Sequence, residues 1–133
     1  METNSGAGAV SRVAAWSGGI LSLLVALMMI LSAVMKLLKP AAVVQGFAHF
    51  GYPEAQAMPL GIVEAACALI FLIPRTSVLG AVLLTGYLGG ATATNVRVGD
   101  PWFAPVILGV VAWAGLFLRD RRLRSLLPFR TKL

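Results

Sequence analysis

Charge is what this sequence has least of. Its 133 residues include 11 Lys and Arg and 5 Asp and Glu, 12% of the chain, where a soluble domain carries about 25%. No charged residue stands between Val13 and Met35. Such a chain cannot cover the large surface that a small soluble domain exposes. A disulfide framework is excluded too, because Cys67 is the only cysteine. With no CxxC there is no exchange between paired thiols, and a buried thiol without a cationic neighbour is inert. His49 is the only histidine, so one chain cannot supply a two-histidine haem site, and no second ligand stands at metal spacing. A P-loop, a dinucleotide fingerprint and a nucleophile elbow are also missing. Nothing in the spacing identifies an enzyme or a metal centre.

What is present is apolar: 59% of the residues are hydrophobic. A run of roughly 17 to 25 apolar residues crosses a bilayer as a helix. Four such runs occur, over about 13–35, 55–73, 76–96 and 102–118. Lys36, Lys39 and Pro40 stop the first, Pro74-Arg75 the second, Arg97-Gly99-Asp100-Pro101 the third and Arg119-Asp120 the fourth. The first run is longer than a signal-peptide core and lacks a small-residue cleavage site. Short connections after the second and third make those helices antiparallel neighbours. The expected fold is therefore all-α: one transmembrane domain, a four-helix bundle in the lipid bilayer, preceded by a small polar tail over Met1–Gly8.

Basic residues set the orientation. Four spans place both termini on one side, with Arg12, Arg75 and the tail cations Arg119, Arg121, Arg122, Arg124, Arg130 and Lys132. Lys36, Lys39 and Arg97 fall on the other. Eight against three predicts a multi-pass protein of the cell membrane with cytoplasmic termini. The same placement argues against nucleic acid as a partner, because a basic stretch after an apolar span sets topology or touches anionic lipid.

Small residues at four-residue spacing let helix backbones approach closely. Gly18-Ser22-Ala26, Gly61-Ala65 and Gly86-Gly90-Thr94 are the expected seams, within one chain or between two copies in a homo-oligomer. Between the first two spans, Val43, Phe47 and Phe50 recur at helical spacing over about 40–51. They predict either a short helix along the outer interface, ended by Gly51 and Pro53, or a loop packed across the mouth of the bundle. Trp16 and Trp102 suit the aromatic belts, whereas Trp113 lies deeper.

Glu64 is the charge that topology does not explain. At mid-span, an ionised carboxylate costs at least about 2.5 kcal/mol. It faces the interior either as a proton carrier or ligand anchor, or as a lock bonded to Thr or Tyr hydroxyls. Lys36 and Arg97 end their spans on the outer side; each reaches inward to Glu64 or snorkels to the headgroups. Thr85, Thr92 and Asn95 form a polar stripe on the third span, with Tyr87 offset from it. Such a stripe lines a cavity or bonds across helices. For His49, packing beside Phe47 and Phe50 is the simpler reading.

The order of several short pieces resembles the DoxX-like family of small four-span membrane proteins. These are Met35-Lys36-Leu37 before Pro40, Phe50-Gly51-Tyr52-Pro53, Glu64, Ile73-Pro74-Arg75-Thr76, Leu79-Gly80-Ala81, and Gly89-Gly90-Ala91-Thr92-Ala93-Thr94-Asn95-Val96-Arg97 with Gly99-Asp100. Relatives often carry His where Asn95 stands. An amide hydrogen-bonds but does not titrate, so proton transfer at that position is in doubt. The family takes its name from a subunit of a thiosulfate:quinone oxidoreductase. The resemblance thus implies a quinone- or small-ligand-binding subunit of a membrane redox system, with Glu64, Lys36, Arg97, Asn95 and Thr92 as ligand-binding residues. The chain has no redox group of its own, so a flavin or metal would come from a partner subunit. The alternatives are a structural or assembly protein with Glu64 as a packing lock, and an oligomeric small-solute transporter.

Overall fold

A computed structural model describes the backbone of residues 4–129 and the side chains of residues 12–129; Arg130 and Lys132 of the expected tail lie outside them. Among the described residues all regular structure is helical. Helix α1 covers Asn4–Leu38, α2 Ala41–Phe50, α3 Ala57–Leu72, α4 Ser77–Val98, α5 Phe103–Arg119 and α6 Arg121–Arg124, with a single 3-10 turn at Glu54–Gln56. Within these bounds 12–38, 54–72 and 77–98 are long and apolar enough to cross a membrane, while α5 has 17 residues.

Helix α1 departs from expectation at its start. The polar tail joins the helix from Asn4 onward, because adding residues to a formed helix needs no new nucleus. Its other end obeys the sequence: Pro40 bars helical backbone at the residue before it, and Lys39 turns out at φ 51°.

Helices α2 and α4 end alike. Gly51 and Gly99 take left-handed backbone, φ 75° and 80°, which costs a glycine nothing. After α2, Gly51 N–H bonds the Ala48 carbonyl and Tyr52 N–H that of Phe47. After α4, Gly99 and Asp100 repeat this with Val96 and Asn95. Each pair is a Schellman cap, so the polypeptide turns sharply at the same end of the molecule.

Helices α1 and α4 occupy opposite corners of a ring in which each packs against both α3 and α5. Val25, Ala26, Met29, Phe71, Leu84 and Leu116 fill the middle, all at most 2% exposed. Leu23, Leu24, Leu27 and Leu31 of α1 and Val106, Ile107 and Val110 of α5 face outward, an apolar surface suited to lipid.

Two of the three expected seams are real. A side chain at Gly18 would strike the backbone of Gly115 and Arg119, and one at Gly61 would press on the Ala33 carbonyl and the Lys36 stem. The third is not a seam within the chain: Gly86 and Gly90 have nothing within 4 Å of where a Cβ would sit. Helix α4 packs instead through Ser77, Gly80, Ala81, Leu84 and Leu88, and Gly80 lies directly on the Phe71 backbone. A four-residue spacing allows close approach but does not choose which face meets a neighbour.

Candidate functional site

Glu64 sits midway along α3, on the same face as Gly61, Cys67, Ala68 and Phe71, and is 2% exposed. The missing side chain at Gly61, one turn away, brings α1 close at Lys36. From there the Lys36 Nζ donates to Glu64 Oε2 at 2.6 Å and to Ser32 Oγ at 2.7 Å. Tyr87 of α4 donates its hydroxyl to the same Oε2 at 3.0 Å, and Oε1 receives neither bond. A lone carboxylate here would be costly. Paired with an ammonium and bonded by a phenol, it becomes part of a neutral cluster. The cluster joins α1, α3 and α4.

Packing does not seal the cluster. A cavity of about 600 Å³ opens beside it at the end of the bundle that carries α2, with Glu64, Lys36 and Tyr87 in its wall. Asn95 lines it as well; the rest is largely apolar, including Met28, Met29, Leu60, Phe47 and Leu108. Gly86 and Gly90 also line it, which accounts for their missing partners. A shallower groove of about 470 Å³ between α1 and α2 shares Met28, Ser32, Lys36, Phe47 and Phe50 with the cavity.

The segment expected as an interfacial helix or a loop across the mouth is a helix, and it packs against the cavity. Helix α2 turns Phe47, 8% exposed, into the cavity wall and exposes Gln45 and His49. Three polar contacts fasten it and the turn behind it to the end of α4 and the turn that follows. Arg97 donates to the Phe50 carbonyl and lies over the Tyr52 ring, 5.3 Å from its centroid. Tyr52 donates to Thr94 Oγ1 at 2.9 Å, since that hydroxyl's own hydrogen goes to the Gly90 carbonyl. His49 Nε2 pairs with Asp100 Oδ2 at 2.9 Å.

Of the five residues singled out in the sequence, Glu64, Lys36 and Asn95 meet at the cavity. Arg97 and Thr92 do not line it. Arg97 neither reaches Glu64 nor snorkels freely; the last carbonyl of α2 has no partner within its own helix and sits at the negative end of the helix dipole, which a guanidinium satisfies. Thr92 bonds back to the Leu88 carbonyl of its own helix at 2.8 Å. Thr85 bonds across helices, accepting from Trp113 Nε1 at 2.8 Å. Asn95 donates to the Pro101 carbonyl at 3.1 Å, a structural bond that carries no proton. Tyr87 was the missed partner. Its signal was its position on α4, on the turn between Leu84 and Leu88, which both point inward.

A family model described as the DoxX-like family matches residues 20–115. The chain belongs to the DoxX-like family. It is accordingly an integral membrane protein, and the match takes in Lys36, Glu64, Tyr87 and Asn95. No curated protein and no solved structure matches it.

Proposed function

We propose that this DoxX-like protein binds a small lipophilic carbonyl compound of the quinone class in its outer cavity, as a subunit of a membrane redox system. One observation carries the reading: a buried Lys–Glu–Tyr cluster opens into an apolar space large enough for a ring and a short tail. The donor set fits a quinone, whose carbonyl oxygens only accept hydrogen bonds. Lys36 has three N–H groups and spends two on Ser32 and Glu64, leaving one for a carbonyl. Glu64 Oε1, outside both bonds, is the atom that holds a proton when the ligand needs one. Phe47, Met28 and Met29 exclude water around the ring, and the groove between α1 and α2 admits it from the lipid side. A bound quinone would supply two-electron, two-proton chemistry; the electrons come from a partner subunit. Helix α5 serves as the fourth span, at the thin end of what a bilayer accepts, with both termini cytoplasmic.

The second reading, Glu64 as a packing lock, draws on its tie to both Lys36 and Tyr87. A cavity-filling change separates the two. Ala91 lines the cavity without bonding the cluster. In detergent, a short-chain benzoquinone is expected to raise the melting temperature of the wild type, and Ala91→Phe to abolish that shift at unchanged basal stability. Glu64→Gln should remove the response as well. A quinone shift that survives both changes rules the cavity out as its site.

A further inference from the structure

The opposite end of the bundle carries a second pocket, of about 510 Å³, between the α3–α4 turn and α6. Arg75 and Arg122 stand in its wall beside Val78, Leu123 and Leu126. Both arginines are exposed, and neither forms an ion pair among the described residues. The only carboxylate in the wall, Asp120, is engaged by its own backbone: Oδ1 accepts from Arg122 N–H at 2.9 Å, capping α6. Cations from two separate elements thus flank a space with an apolar floor.

The following residues say what fills it. Leu126, Leu127 and Phe129 are 55%, 41% and 83% exposed, directly after the basic turn of α6. Basic side chains followed by bare apolar ones are the composition of a segment lying at the membrane surface. Val78, on the first turn of α4, continues that apolar surface from the bundle side. The geometry points to a headgroup site for an anionic phospholipid, its phosphate held between Arg75 and Arg122 and its glycerol and upper acyl chain along Val78, Leu123 and Leu126. Arginine suits this role because its planar fork pairs two N–H groups with two phosphate oxygens. The site lies apart from the outer cavity and does not depend on the ligand proposed there.

The test uses the full chain in detergent, titrated with dioctanoyl phosphatidylglycerol, dioctanoyl phosphatidylcholine or inorganic phosphate and followed by thermal stability. Phosphatidylglycerol is expected to stabilise the wild type, and the other two to do so far less. Arg75→Gln/Arg122→Gln should weaken the apparent affinity for phosphatidylglycerol about thirtyfold. Its melting temperature without lipid should stay unchanged, since both side chains are exposed. Arg130→Gln/Lys132→Gln, which removes the same charge from the tail, should keep the wild-type response. Equal loss in the two double variants would mean diffuse attraction rather than a site. An equal response to phosphatidylcholine, or inorganic phosphate matching phosphatidylglycerol, would overturn a lipid headgroup as the ligand.

Discussion

At the end of the bundle bearing the α3–α4 turn, helices meet backbone to backbone. Gly18 lies on Gly115, Gly80 lies on Phe71, and Arg119 reaches across to the Phe71 carbonyl at 3.1 Å, its guanidinium 5.2 Å from the ring centroid. At the other end Gly61 brings α1 onto α3, but Gly86 and Gly90 touch nothing, and a polar cluster ties the helices together beside an open space. Both regions use small residues. In the first they bring helices together; in the second Gly61 does so as well, while Gly86 and Gly90 leave room. In lipid, association must come from close packing or from interhelical polar bonds. One half of this protein relies on the first, and the other on the second at the expense of density.

The largest effect should come from breaking the polar half. Glu64→Leu strands the Lys36 ammonium and is expected to cost about 3 kcal/mol, at the low end for a broken buried pair because Lys36 keeps 19% of its side chain exposed. Replacing both, Lys36→Met/Glu64→Leu, should recover stability to within about 1 kcal/mol. Thermal unfolding of the three proteins in one detergent checks this; a double variant as weak as the single would show that the pair does more than cancel its own charge. Next comes the packed half. Gly80→Ala drives a methyl into the Phe71 backbone, which has no flexible end to move aside, for about 2 kcal/mol. Gly86→Ala, six residues along the same helix, meets open space and should stay within about 0.5 kcal/mol of wild type. If the two alanines cost the same, the contrast between the halves fails. Smallest of the broken contacts is His49→Gln. Its pair with Asp100 is largely exposed, side chains 55% and 36%, and should contribute about 0.5 kcal/mol, screened further by salt. Protease sensitivity of the α2 segment is the finer probe there.

Much of the site was legible one residue at a time. Glu64 stood out because a carboxylate in mid-span has no topological role. Lys36 was readable only as one of two span-end cations within reach of Glu64, and the sequence did not choose between them. Arg97 was not readable, since its partner is a main-chain carbonyl 47 positions away, and a carbonyl leaves no mark on residue identity. Thr92 misled for a related reason: a helical hydroxyl can satisfy itself on its own preceding turn, so a polar stripe does not imply a polar neighbour. Tyr87 was set aside as off the stripe, although the face that mattered was the one carrying Leu84 and Leu88.

Local chemistry decides where the long apolar helices lie, how several of them end and the presence of a costly buried acid, because apolar run length, proline geometry and glycine caps act within a few residues. Those features were therefore open to the sequence alone. Which glycines meet a neighbour, where the acid finds its counter-ion and whether the bundle closes over it were decided only by the tertiary structure. They depend on how far each helix is rotated about its own axis, and that rotation is set by the summed packing of the four long helices, to which no single residue holds the key.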